Sequence, residues 1–218
     1  MKALGLIEVY SFSTAVRVAD IAAKASGVKV IAMDRTRPKS ANVPAPLVMA
    51  VKVEGSVADV RAAVEAGTDY AKETGRHIVS HIIANPGEGM EKMAYLMDIN
   101  KDKFNKKLPK NMYEICNSDA EIKTTGEAIG LLEVDGLVAS IEGLDTMLKT
   151  AETRLVHTEK RLGGRLVTLV MAGNVSAIKA ALESGGAAAE KFGKVYGVQI
   201  IPSPHPEVVK FFDMGVDE

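Results

Sequence analysis

The chain repeats itself, and that repeat limits the fold more than any other feature. Ala3-Leu4-Gly5-Leu6-Ile7-Glu8-Val9 recurs 125 residues later as Ala128-Ile129-Gly130-Leu131-Leu132-Glu133-Val134. The same offset carries Asp20 onto Asp145 and Lys24 onto Lys149. Further along the offset is 118: Gly55-Ser56-Val57 faces Gly173-Asn174-Val175, Ala62-Ala63 faces Ala180-Ala181, and Gly67 faces Gly185. His81-Ile82-Ile83-Ala84-Asn85-Pro86 then matches Gln199-Ile200-Ile201-Pro202-Ser203-Pro204. The drop in offset places seven additional residues in the first copy, between about 34 and 46. A chain of 218 residues could hold one large domain or two small ones. The repeat decides for two copies of roughly 90 residues joined by a connector.

Both copies carry one pattern. An apolar run with β-branched residues and glycine, at 2–9 and 127–134, predicts a buried strand. A helix follows over 13–26 and 138–151, with Ala15, Val18, Ala19 and Ala22 at spacings of three and four. Two strands joined by a loop come next, at 28–36 and 47–53 and again at 153–160 and 166–172. A second helix spans 56–75 and 174–192, with Ser56 and Asn174 suited to cap it. Ala58, Ala62, Ala63 and Ala66 predict a small-residue face for close packing on a sheet. A last strand, 77–84 and 194–201, ends at proline, and a short C-terminal helix follows each copy. The βαββαβ order gives an α+β fold: two tandem ferredoxin-like units, each with helices on one face of an antiparallel sheet. The expected domains are 1–97 and 126–218. The connector 98–125, with its Lys106-Lys107-Leu108-Pro109-Lys110 run, reads as a solvated segment and not a third domain.

Composition and motifs narrow the function by exclusion. Basic and acidic side chains number 27 and 28, so no global field favours nucleic acid. One cysteine rules out an internal disulfide framework and a thiolate zinc site. No window approaches the roughly 20 apolar residues of a membrane span. Glu8, Arg17 and Asp20 interrupt the N-terminal run that faintly suggests a signal peptide, so a cytoplasmic protein is expected. No G-x-S-x-G, H-E-x-x-H, Walker-type or C-x-x-C motif occurs. His77 and His81 share one face of a predicted strand about 13 Å apart, too far for one metal ion. Glu8/Glu133 and Asp20/Asp145 recur in both copies, which suits structure or an interface better than an asymmetric active site. With no set of complementary catalytic roles to assemble, neither an enzyme nor a metal site is expected.

Two loops and a thiol complete the inventory. The loop Arg161-Leu162-Gly163-Gly164-Arg165 has paired glycines that permit positive φ and leave N–H groups accessible, a small anion-friendly concavity. Its counterpart, Arg37-Pro38-Lys39-Ser40-Ala41-Asn42-Val43-Pro44-Ala45-Pro46, is longer and stiffened by three prolines. On residue type alone these are a tight hairpin and a variable surface loop. Cys116 lies in the connector, where a thiol reads as inert or partly buried and not as one of three thiolates holding a cluster on a threefold axis.

Glu127 to Val134, Asp145 to Ala151, Leu166 to Ala181 and Ile201 to Pro206 together resemble the bacterial microcompartment shell-protein domain, and the first copy passes through the same landmarks more loosely. The resemblance is to the unpermuted tandem-domain kind. It implies a structural protein: a homotrimer whose six domains form a flat pseudohexagonal tile, with tiles joined into the facets of a cytoplasmic, protein-walled shell. Lys24 and Lys149 match the family's edge lysine, and His205 matches a Pro-His near that edge. Ser203 replaces the usual arginine there, and copy one ends Asn85-Pro86-Gly87 without a histidine. Arg37 to Asn42 and Arg161 to Arg165 match pore loops that converge on the tile axis. Three copies each of Arg37, Lys39, Arg161 and Arg165 facing one lumen would favour anionic metabolites. Some tandem members hold an iron–sulfur cluster on a cysteine of the first pore loop; here that loop has none, so no cofactor is expected. The implied partners are further copies of the chain, other shell proteins and small metabolites, with no nucleic acid or membrane. The alternative the resemblance allows is a ligand- or cofactor-binding gated pore or sensor subunit.

Overall fold

A computed structural model of the chain describes residues 2–36, 38, 42–90, 94, 126–159 and 165–212. The first copy runs β1 (Ala3–Tyr10), α1 (Phe12–Ala25), β2 (Lys29–Thr36), β3 (Val48–Gly55), α2 (Val57–Glu73) and β4 (His77–Ile83). The second runs β5 (Ala128–Asp135), α3 (Leu137–Thr150), β6 (Arg154–Glu159), β7 (Leu166–Gly173), α4 (Val175–Ala189), β8 (Val195–Ile201) and the short α5 (Pro206–Val209). Each copy is therefore βαββαβ. The sheets are four-stranded and antiparallel, in the orders β2-β3-β1-β4 and β6-β7-β5-β8. Even the irregularities repeat, with a register shift at Glu8/Val9 against β4 and at Glu133/Val134 against β8.

The central strands show why the copies fold alike. A Cβ added at Gly5 would lie 2.6 Å from Val64 and 2.9 Å from Val60 of α2, and one at Gly130 would lie 2.6 Å from Ile178 of α4. Glycine thus lets the second helix settle directly on the strand. Because side chains alternate along a strand, Ile7 and Val9 share the helix side with Gly5, while Leu4, Leu6 and Glu8 project from the other. In β5 the same alternation sends Ile129, Leu131 and Glu133 away from α4. The α2 face differs from the expected alanine stripe: Ala63 is buried, but Ala58 and Ala62 are exposed and Ala66 is half-buried. The buried face runs Val60, Ala63, Val64, Gly67 and Ala71, because the gap above Gly5 takes branched side chains.

The expected caps form. Ser56 Oγ accepts the Asp59 N–H at 3.1 Å, and Asn174 Oδ1 accepts that of Ala177 at 2.8 Å. The extra residues of copy one divide between a longer β2 and the 37–47 loop, against 160–165 in copy two. In the segment after β4 only Ala94 carries a described helical conformation, its N–H donating to Met90 O at 3.0 Å. The domain boundaries at 97/98 and 125/126, the connector 98–125, its basic run and Cys116 all lie at or within stretches outside the described residues.

The main hydrophobic cluster does not stop at the first copy. Phe12, Val16 and Ala23 of α1 belong with Ile129, Leu131, Val170, Val208 and Phe212 to one buried set. The two units are fused through the side of the second sheet that α4 leaves uncovered.

Candidate functional site

The seam between the copies is built around one carboxylate. Glu133, fully buried, accepts hydrogen bonds from the hydroxyls of Ser11 and Ser13 and from the N–H groups of Phe12 (3.2 Å) and Ser13 (3.1 Å). These N–H groups are the unpaired donors at the start of α1, where a negative charge is favoured. Burying a carboxylate is costly, and four donors offset that cost here. Ser11 holds φ at 82°, unusual for a residue with a side chain, and so turns its hydroxyl to both Glu133 and the Thr14 N–H. Around this centre Tyr70 donates to Gln199 at 2.9 Å and Arg76 to Tyr196 O at 2.6 Å. Glu207 accepts the Val30 N–H at 2.6 Å.

Lys24, Lys149 and His205 fall in two settings. Lys24 Nζ lies 2.6 Å from Asp20 Oδ2, which Arg17 also approaches at 3.3 Å, while Asp20 Oδ1 accepts the His205 N–H at 2.9 Å across the seam. Asp20 is wholly buried. Lys149 makes the same 2.6 Å contact with Asp145, but on an open helix where both side chains stand more than half exposed. That hydrogen bond, with the charge of Asp145, holds the Lys149 pKa above its usual value. His205 caps α5, its Nδ1 accepting the Glu207 N–H at 3.2 Å. Burial lowers its pKa below the ordinary 6.5, against the opposing pull of Glu207 and Asp20; Lys24 and Lys210 add to the lowering. Burial, helped by Lys72, lowers that of His77 as well.

Among the described residues, two faces have no counterpart contact. On the first sheet, Leu4, Leu6, Glu8, Val79, His81 and Met90 line a groove of about 350 Å³. Its floor carries an ion pair between Lys52 and Asp34, both largely buried. On α3, Leu137, Val138 and Ile141 are 61%, 66% and 59% exposed. Sequence reading singled out neither face. The signal was available in the apolar Leu137-Val138 pair, which stands outward where Phe12 and Ser13 turn inward.

Of the residues matched to pore loops, Pro38, Asn42 and Arg165 are described; Arg37, Lys39, Ser40, Ala41, Arg161, Leu162, Gly163 and Gly164 lie outside the described residues. Arg165 adopts φ 64°, accepts the Gly136 N–H at 2.8 Å and places Nε 3.6 Å from Asp135 Oδ1. Its cation is thus partly answered by a carboxylate. Among the described residues no group of three or more His, Cys, Asp or Glu could hold a metal ion, and no helix is long and apolar enough to cross a membrane.

The chain is thus a duplicated α+β domain, its two units matched in register and joined where the start of α1 meets the open side of the second sheet. The model of the BMC domain matches residues 3–86 and 128–204, so the chain belongs to the BMC-domain family and carries the domain twice. It is 45% identical over 92 residues to the bacterial microcompartment shell protein PduA of Salmonella typhimurium, covering 42% of this chain and 97% of that protein. It is 30% identical over 201 residues to the carboxysome assembly protein CcmO of Synechocystis, covering 92% of this chain and 61% of that protein. A solved microcompartment protein from Desulfitobacterium hafniense aligns over 94% of this chain and 96% of its own at 24% identity and a TM-score of 0.35.

Proposed function

We propose that the chain is a structural tile of a cytoplasmic microcompartment shell, without catalytic activity or cofactor. Three copies close into a ring of six BMC domains, and rings meet edge to edge. One observation carries this reading. The seam joins unlike surfaces, the start of a first helix and the open side of a sheet, so a matching half of each is left over at both ends of the chain. Such head-to-tail contacts generate rings when the rotation closes. In that ring the loops 37–46 and 160–165 alternate around a central opening for small metabolites. Arg37, Lys39, Arg161 and Arg165, with Pro38, Ser40, Ala41, Asn42, Leu162, Gly163 and Gly164, would set its size and charge. Lys149 is the cation offered to a neighbouring tile, while Lys24 and His205 share the buried Asp20 at the same end of α1. Other shell proteins of the same compartment would be further edge partners.

Electron microscopy and sedimentation of the purified full chain test this. Three-chain particles that order into hexagonal sheets are expected, and Lys149→Ala should abolish the sheets while leaving the particles whole. A chain that sediments as a monomer at every concentration refutes the tile, and unchanged sheets refute the edge role of Lys149.

A further inference from the structure

The floor of the groove on the first sheet holds chemistry that the tile reading leaves unused. Lys52 and Asp34 are buried there as an ion pair. Their places follow from the register. Between β2 and β3, Ala32 faces Lys52 and Asp34 faces Ala50; between β1 and β3, Leu6 faces Lys52 and Glu8 faces Ala50. Lys52 thus has a carboxylate on each diagonal, and all three side chains line the same groove. Diagonal neighbours stand about 7–8 Å apart, a gap that one lysine and one aspartate side chain span together. The small side chain of Ala50, between the two carboxylates, leaves the lysine room to reach them.

The second copy keeps this row and omits the lysine. Glu159 and Glu133 flank Thr168 as Asp34 and Glu8 flank Ala50, while Val170 stands where copy one has Lys52. Glu159 lies instead 3.8 Å from His157. A valine at this position is easily buried, whereas a buried ammonium and carboxylate can lose more hydration than their attraction returns. Leu4, Leu6, Val79 and Met90 make the surroundings of the pair apolar, and a neutral product is favoured there over two charges.

We propose that Lys52 and Asp34 condense to an isopeptide bond, a covalent tie between β2 and β3. The proton balance closes within the cluster. The Lys52 ammonium gives one proton to the Asp34 carboxylate, and the freed amine attacks Cγ of the resulting acid. Glu8 takes a second proton from the bound nitrogen and returns it to the departing hydroxyl. A C–N bond forms, a C–O bond breaks and one water leaves, with no oxidation or reduction. The amide removes two buried charges, and the apolar walls disfavour the return of water. The tie fastens the foot of the 37–47 loop, which is longer than the 160–165 loop of copy two and costs more entropy to close. Like a disulfide, it would restrict the unfolded chain.

The mass of the denatured full chain tests this, whether or not chains assemble. The purified protein should weigh one water less than its sequence, and Lys52→Arg and Asp34→Ala should each restore the full mass. Trypsin should release the segments around Asp34 and Lys52 as one branched peptide, uncut after Lys52. Lys52→Arg keeps the charge pair, so a circular dichroism spectrum like the parent's separates loss of the bond from loss of the fold. In chains translated in vitro and sampled over time, Glu8→Gln should slow the loss of water about 100-fold and reach the same final mass, the scale of one proton carrier. A parent chain at full sequence mass overturns the proposal and leaves an ion pair only. Water loss that persists in Lys52→Arg places the dehydration elsewhere and overturns it equally. Glu8→Gln maturing at the parent's rate overturns the part given to Glu8.

Discussion

Helices α1 and α3 occupy corresponding places in the repeat, yet α1 buries ten of its 14 residues and α3 buries four. Their flanking strands, registers and aspartate–lysine pairs are the same. What differs is the company each keeps. The start of α1 meets a carboxylate and the open face of a sheet; α3 presents leucine, valine and isoleucine outward. Duplication therefore preserves the scaffold and leaves the connecting surface as the place where the copies diverge. A residue's role in such a chain depends on which end of the repeat it occupies, even where its neighbours in sequence are conserved between copies.

The strongest way to break this comparison is to remove the two matched carboxylates in turn. Glu133→Ala leaves two serine hydroxyls and two helix N–H groups without their acceptor. It should cost about 3–5 kcal/mol, the scale of breaking a buried, charge-bearing network. Glu8→Ala, at a half-buried groove position outside that network, should cost less than about 1 kcal/mol. Urea unfolding measures both, and equal losses would erase the distinction between the two ends. A smaller contrast is expected about two helix turns on. Asp20→Asn should cost about 1–3 kcal/mol, because a buried acceptor shared by Arg17, Lys24 and the His205 N–H is weakened. Asp145→Asn, whose single lysine contact is open to water, should cost less than about 0.5 kcal/mol.

The smallest expected effect is the share of the pH dependence that His205 contributes at the second copy's end of the seam. The folded His205 binds a proton less readily than the unfolded chain, whose histidine has the ordinary value of 6.5. Stability is therefore full above that pH. It declines as pH falls through it, because the unfolded state takes up the proton first, and levels off below the folded value. Protonation at Nδ1 also removes the acceptor that caps α5. The melting temperature of the chain, followed from about pH 8 to about pH 5, should drop less steeply with His205→Gln. Copy one has Gly87 at the corresponding position, so nothing there titrates. Replacing Gly87 with histidine is a control that should leave the profile unchanged.

Much of this fold was legible because repetition doubles every signal. A strand pattern or a cap that occurs at both Ser56 and Asn174 is hard to mistake, and the seven-residue surplus located the longer loop before any coordinates. The small-residue face of α2 was misread because alanine spacing alone ignores what lies opposite. Val60 and Val64 win the buried positions since Gly5 leaves them room. The same repetition hid the seam. Glu8 and Glu133 sit in nearly identical sequence, and what sets Glu133 apart is its distance in sequence from Ser11 and Ser13, which bury it. Pairing at such separations leaves no periodic trace. The pore residues were placed by resemblance to a family, and their positions on two loops, not their side-chain orientations, are what sequence can offer.

The length of chain between the partners of the seam has a consequence for synthesis. Ser11 and Ser13 leave the ribosome more than a hundred residues before Glu133, and Val30 waits for Glu207. Contacts this distant in sequence form late, after their loops have closed. Throughout that interval the first copy carries an apolar helix face and an unmet ring of donors. It can complete its own sheet but not its surface. The nascent first copy is thus most exposed to wrong pairing with other nascent chains just before the last strand of the second copy emerges. Anything that slows translation through the connector prolongs that exposure.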